Sequence, residues 1–214
     1  MDTIKIPPSQ PGPEQTYQEK PAKKTDSKKE LLSTLSILII APLVAVLLSI
    51  FVFQSYEVDG PSMEKTLQHK DRLIVTKTGK TWARIINQDY IPDRYSIIVF
   101  DFTGQNSYEV EKKQLIKRVI GLPGDKVVIK DGVVRIYNAS HPEGFYPDKE
   151  GPEASVISTT EGSLEQTVKA GEVFVLGDNR GNSLDSRTFG TVRADDIIGH
   201  LSARIYPFDS IKKF

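Results

Sequence analysis

Three short stretches carry the residue types that acyl transfer needs. They are Ser62 in VDGPSMEKTL, Lys117 in QLIKRVIGLPGD, and the polar cluster LGDNRGNSLDSRTFG at 176–190. Ser62 follows Gly60–Pro61 and precedes Met63. Proline fixes its own φ, and glycine reaches backbone conformations closed to other residues. Such a corner can hold a hydroxyl outward with backbone N–H groups near an oxyanion, although an ordinary turn serine would read the same way. A serine hydroxyl also needs a base. The three histidines, His69, His141 and His200, lie far apart and in no suggestive context. A lysine serves instead if burial strips its proton. On a strand of period two, Lys117 shares a face with Leu115 and Val119, and Arg118 points away with Ile116 and Ile120. An ammonium wedged between leucine and valine is unfavourable unless neutral. The converse, Lys117 in solvent and Arg118 in the core, fits the same alternation.

The third stretch follows the apolar run EVFVLG and holds Asp178, Asn179, Arg180, Asn182, Ser183, Asp185, Ser186 and Arg187. Asp–Arg pairs at this density brace a site, and a hydroxyl can orient a neutral amine. A solvated or calcium-binding loop is the alternative, but Asp178, Asn182 and Asp185 do not fit EF-hand spacing. A lysine at its usual pKa of about 10.4 is neutral in fewer than about one molecule in a thousand at pH 7. A carboxylate against the amine would hold the proton on. Asp178 and Asp185 are therefore expected to pair with arginines rather than with Lys117, and Arg118 to point away without a carboxylate partner.

Composition narrows the chemistry. The chain has no cysteine, which excludes thiol nucleophiles, disulfides and cysteine-bound metals. It has no HExxH motif, which argues against a zinc hydrolase, and no metal or cofactor is expected. Lys plus Arg and Asp plus Glu both number 28, so no net charge points to nucleic acid.

The positioning elements begin with residues 31–53, LLSTLSILIIAPLVAVLLSIFVF, which contain no charge. As a helix the run spans roughly 34 Å, enough to cross a bilayer, and membrane helices tolerate Pro42. It is too long and starts too late for a cleavable signal peptide, and lacks the amphipathic pattern of a core helix. Residues 1–30 are polar and proline-rich, and read as a disordered tail. Lys20, Lys23, Lys24, Lys28 and Lys29 precede the run, and no base follows until Lys65. The positive-inside rule puts the N-terminus in the cytoplasm and residues 54–214 outside a plasma membrane.

Beyond the anchor the apolar runs are short and β-branched: RLIVTK, SIIVF, LIKRVI, KVVIK, VVRIY, EVFVLG and HLSARIYPF. Gly, Pro and Asp punctuate them, and VVIKDGVVRIY signals a hairpin turning at Asp131–Gly132. No window shows convincing helical periodicity. The expectation is a mostly β domain of antiparallel sheets, its rhythm broken by a looser insertion at about 138–166. The NAS at Asn138 reads as a chance sequon.

GPSMEKTL, LIKRVIGLPGD and GDNRGNSLDSRTFG, in this order after one anchor, resemble bacterial type I signal peptidases, over about residues 40–214. The resemblance implies an antiparallel β-sheet catalytic domain at 54–214 with a small insert at 131–168. It implies a membrane serine endopeptidase that removes signal peptides from secreted preproteins after an A-x-A-like site, through an acyl-enzyme. Ser62 would be the nucleophile, its N–H the oxyanion donor, and Lys117 the general base. Ser183 would hydrogen-bond the lysine amine, and Asp178, Arg180, Asp185 and Arg187 would form the bracing network. A substrate strand would pair beside Tyr56–Val58 and Leu115–Lys117, with Val58, Met63, Leu67, Val99 and Ile116 lining small apolar pockets. Met63 would hold the chain beside the nucleophile. Preproteins, the lipid bilayer and the secretion translocon are the implied partners. Some relatives carry a hydroxyl two residues before the nucleophile, where this chain has Gly60. It also has Arg94–Tyr95–Ser96 where relatives often read Arg-Gly-Asp, and Glu64–Lys65 where proline is common after the methionine. Two rivals share parts of the pattern. A Ser/Lys autoproteolytic repressor carries a DNA-binding module in place of an anchor. A non-enzymatic single-pass β-domain that binds an extracytoplasmic partner would keep its function without Ser62 or Lys117.

Overall fold

The computed structural model describes residues 27–103, 112–151 and 159–214. Most of the expected tail, and 152–158 of the expected insert, lie outside the described residues. Two compact units make up the chain, 1–42 and 43–214. Helix α1 (Ser27–Phe51) contains Pro42, and its segment Glu30–Ser49 has a mean hydropathy of 2.7. Every side chain of that segment is exposed, so its apolar surface is not used to build a protein core. The expected run to residue 53 overshoots the helix, because Phe53 already opens the first strand.

The strands are β1 (Phe53–Glu57), β2 (Arg72–Thr76), β3 (Ile97–Thr103), β4 (Lys112–Gly121), β5 (Lys126–Lys130) and β6 (Val133–Asn138). They continue as β7 (His141–Phe145), β8 (Leu164–Thr167), β9 (Glu172–Leu176), β10 (Val192–Arg193), β11 (Ile197–Tyr206) and β12 (Lys212–Lys213). Three short helices interrupt them: α2 (Thr78–Ile85), α3 (Pro147–Glu150) and α4 (Ser186–Phe189). One sheet runs in the order β1-β2-β11-β3-β4-β9-β10, with β12 on β11, and a four-stranded sheet runs β7-β6-β5-β8. Every described pairing is antiparallel, and each of the seven apolar runs is a strand. Asp131 and Gly132 take positive φ values of 52° and 81° at the β5–β6 turn, as a two-residue hairpin of matching twist requires.

The smaller sheet starts with β5 at Lys126, ahead of the insert expected at 131, and ends at Thr167. It joins the larger one through a shared core. Ile120 of β4 and Phe174 and Leu176 of β9 pack with Val127, Ile129 and Ile136 of the small sheet, all at most 1% exposed. Strand β4 lies inside the larger sheet, where Ile97–Thr103 pairs along its first seven residues and β9 pairs with it from Arg118.

Helix α2 is an element that the mostly β expectation for the exported part did not place. Its eight residues include Gly79, its N-cap Lys77 makes no side-chain cap, and only Ala83 is buried. Its apolar residues face outward, so no inward stripe of helical period marks it in the sequence. Tyr95 takes a positive φ of 73° before β3, at the position where glycine would rest without strain.

Phe174 carries the contact between the sheets. Phe174→Ala should lower the unfolding free energy by about 3–5 kcal/mol, read as the urea midpoint by circular dichroism in detergent.

Candidate active site

Ser62 lies in the loop between β1 and β2, and backbone bonds close that loop at its base. Val58 N–H donates to the Asp71 carbonyl at 2.9 Å, and Lys70 N–H donates to the Val58 carbonyl at 2.9 Å. Asp71 is 3% exposed; it accepts from the Gln68 N–H and from Arg204 of β11 at 3.0 Å. Inside the loop, Glu64 N–H donates to the Pro61 carbonyl, and Thr66 and Leu67 N–H groups donate to the Met63 carbonyl. Gly60 sits at φ +99°, a conformation L side chains rarely adopt. The corner therefore requires glycine there, and the relatives' hydroxyl side chain could be placed only with strain. His69 Nδ1 accepts from the Gly60 N–H at 3.4 Å and lies 3.5 Å from Asp59. This histidine braces the corner, a role no spacing in the sequence indicated.

Lys117 reaches the corner from β4. Its Nζ donates to Ser62 Oγ at 2.7 Å and to the Ile116 carbonyl at 2.7 Å. The residue is 3% exposed, and burial lowers its pKa from 10.5 to about 8, with the charges of Asp185 and then Asp178 pulling the other way. About one amine in ten is then neutral at pH 7. The face expected for Lys117 holds in part: Leu115 and Val119 pack together, and Ile116 packs elsewhere.

The carboxylates pair with arginines, as expected. Asp178 accepts from Arg118 Nε at 2.8 Å and Nη2 at 2.6 Å, with both side chains at most 4% exposed. Asp185 accepts from Arg187 Nε at 2.8 Å and Nη2 at 2.9 Å, and from the Gly177 N–H at 3.0 Å. Arg118 was expected to avoid carboxylates, and here the structure differs. It is buried, braces Asp178, and donates to the Tyr95 carbonyl at 2.9 Å. Two adjacent cations on one strand thus divide the work: Arg118 neutralises the carboxylate and Lys117 stays desolvated.

Arg180 spans to the smaller sheet. It donates to Asp148 of α3 through Nη1 at 2.5 Å and Nη2 at 2.6 Å, to Thr160 Oγ1, and to the Gly177 carbonyl at 3.1 Å. Asp148 and Thr160 were not singled out, because they lie 32 and 20 residues from Arg180 in a segment read as loose. Ser183 was expected to bond the lysine amine. Its Oγ is buried with no hydrogen-bond partner among the described residues, and the second bond of Lys117 goes to the Ile116 carbonyl.

Of the apolar residues expected to line pockets, Val58, Met63 and Leu67 are buried in one cluster with Leu73, Ile97 and Leu201, and Tyr56 and Ile116 pack against it. Val99 is 2% exposed on β3, opposite Ile116. Leu115, expected beside the substrate through its main chain, packs its side chain against the cluster of Phe100, Val119 and Ile197. Its backbone stays on a strand segment whose β9 pairing starts only at Arg118, and β1 is the terminal strand of its sheet. No group of His, Asp and Glu suited to a metal occurs among the described residues.

Gly177 joins the polar loop to the serine. The Asn179 N–H donates to the Ser62 carbonyl at 3.0 Å, and a Cβ at Gly177 would stand 2.6 Å from that same carbonyl oxygen. Gly177→Ala should therefore displace Ser62 while sparing the sheets. Its labelling by a serine-acylating reagent should slow by about 100-fold, measured by mass spectrometry, with the circular dichroism unchanged.

The sequence model of the family described as signal peptidase, peptidase S26, matches residues 31–206. Signal peptidase I of Bacillus caldolyticus is 35% identical over 175 residues, 79% of this chain and 88% of that protein. Signal peptidase I U of Bacillus subtilis is 33% identical, covering 89% of this chain and 95% of the relative. A solved signal peptidase I from Enterococcus faecalis V583 aligns at 31% identity over 52% of this chain and 97% of its own, with a TM-score of 0.39. With the family matched across most of its length, this chain belongs to the signal peptidases of the peptidase S26 family.

Proposed function

We propose that this signal peptidase works as a membrane-anchored serine endopeptidase in which Ser62 is the nucleophile and Lys117 the general base. The coarser statement follows from the family: the chain is a protease that cleaves signal peptides from preproteins. The observation that carries the mechanism is the 2.7 Å contact between Lys117 Nζ and Ser62 Oγ at a site where the amine is 3% exposed and titrates near 8.

In the neutral enzyme the hydroxyl donates to the amine lone pair. Lys117 takes the Ser62 proton as Oγ attacks the scissile carbonyl carbon, and the Ser62 N–H donates to the resulting oxyanion. The ammonium then protonates the leaving amine, which departs with the mature protein, and an ester joins the signal peptide to Ser62. Lys117 next takes a proton from water, the hydroxide oxygen attacks the ester, and the proton returns to Ser62.

The main-chain edges of β1 and of Leu115–Lys117, on which no further strand pairs among the described residues, support binding of the substrate as an added strand. The cluster around Val58, Met63 and Leu67, with Tyr56 and Ile116 on its margin, supports an apolar seat for small side chains at the first and third positions before the cut. Helix α1 is the anchor in this reading; the lysines before its apolar span and their absence just after it support a catalytic unit on the outer face of the plasma membrane. Preproteins delivered by the secretion translocon meet Ser62 there.

The test is cleavage of a synthetic signal peptide with an A-x-A site by the detergent-solubilised chain, mapped by mass spectrometry. Ser62→Ala and Lys117→Ala should each lower turnover on the order of 10^4-fold with the fold retained, and residual activity close to the parent's would overturn the assignment. Turnover should rise with pH and level off above about 8, where Lys117 becomes neutral.

The same burial has a sign for stability. The folded pKa lies below the unfolded one, so the folded state binds fewer protons between about 8 and 10.5, and stability rises with pH across that window. The whole penalty is present below about 8. Lys117→Met should remove up to about 3 kcal/mol of it at pH 7 and gain little at pH 11, measured by urea unfolding.

A further inference from the structure

Helix α2 and its C-cap Ile86 present an apolar face that is exposed among the described residues. Trp82 is 64% exposed, Ile85 69% and Ile86 45%. Their spacing of three and four residues puts them on one face of the helix. The opposite side is committed to the protein: Ala83 is buried, and Lys80 donates to the carbonyls of Asp195 and Ile197. Exposed tryptophan and isoleucine on one short helix form a patch that water alone does not favour.

The location of this face identifies what covers it. Helix α2 is tied to the last turn of α1 and the residue after it. Thr81 Oγ1 donates to the Phe51 carbonyl at 3.0 Å, and Lys77 N–H donates to the Val52 carbonyl at 2.8 Å. Lys77 Nζ donates to the Ser49 carbonyl and to Gln54 Oε1, both at 3.2 Å. Ser49 is the last residue of the apolar span. Helix α2 is therefore fastened at the level where that span ends, where Phe51 and Phe53 are exposed as well. Tryptophan favours the membrane–water boundary, where the ring is apolar and its N–H stays wet.

We propose that α2 is an interfacial helix that sinks its Trp82–Ile85–Ile86 face into the outer surface of the bilayer, giving the catalytic unit a second attachment beside α1. This rests on the reading of α1 as a bilayer-spanning anchor. One flexible tether would let the unit swivel about Val52. Two attachments fix the height and direction of the Ser62 cleft, so a signal segment leaving the bilayer meets it without further search. The occupant is lipid and not another protein, because the helix that carries the face is bonded to the end of the span.

The test uses the full chain, whose sole tryptophan is Trp82. The protein is reconstituted into vesicles of phosphatidylcholine and phosphatidylglycerol containing no other protein. Lipid brominated near the headgroup end of its acyl chains should quench the emission, and aqueous iodide should not. Quenching by iodide and not by the bromolipid overturns the proposal, while retention of the chain on alkaline carbonate washing keeps the anchor reading intact. Loss of the chain on washing overturns both.

A second measurement reads function. The variant Trp82→Ser/Ile85→Ser/Ile86→Ser should cleave a short soluble peptide in detergent at the parent's rate. On a vesicle-embedded preprotein its kcat/KM should fall at least about fivefold, equivalent to about 1 kcal/mol of interfacial binding. Equal loss on both substrates, or no loss on either, overturns the proposal.

Discussion

The site depends on keeping one amine out of water and away from carboxylates while it touches a hydroxyl. Lys117 satisfies the first condition by its position on β4, where it is 3% exposed. The second is harder, because Asp178 and Asp185 both stand near enough to hold its proton on. Two arginines answer this. Arg118 and Arg187 each engage one carboxylate with two nitrogens, so neither carboxylate is left to seek the lysine. The balance leaves the amine near 8, between full desolvation and full pairing. Buried ion pairs of this kind add little net stability against an apolar replacement, but removing one partner alone is costly. Their evident work here is electrostatic arrangement.

The hydroxyl is placed by a different device. The loop from Val58 to Asp71 is closed at its base by main-chain bonds and locked to β11 through Asp71 and Arg204. Its tip is held by the polar loop, through the Asn179 N–H on the Ser62 carbonyl. That loop is in turn tied to the smaller sheet by Arg180, Asp148 and Thr160. The small sheet thus reaches the serine through a chain of charge-assisted bonds and helps set its position, beyond filling out the fold.

Most of the fold was legible in the sequence, because its causes are local. Seven short apolar runs of β-branched residues became strands, and Asp131–Gly132 became the turn between two of them. The apolar run became a helix whose side chains from Glu30 to Ser49 are all exposed. Helix α2 was not legible, since a helix whose apolar residues face outward breaks the pattern that a core imposes. Leu115 was expected to meet the substrate through its main chain, and its side chain lies in a different core from that of Ile116, because neighbours on a strand face opposite ways.

The sequence by itself determined the residue types of the site and the strand that carries the lysine. It also determined the rule that acids near that lysine must be paired elsewhere, because each of these follows from chain chemistry or period-two geometry. Only the tertiary structure decided which arginine takes which carboxylate. Arg118 sits 60 residues from Asp178, and Arg180 lies 32 from Asp148. It likewise decided that the amine bonds the Ile116 carbonyl and not Ser183, and that Lys117 Nζ comes to rest 2.7 Å from Ser62 Oγ across 55 residues of chain. Pairings over such separations are chosen by how the sheets pack, and short-range pattern carries no record of that packing.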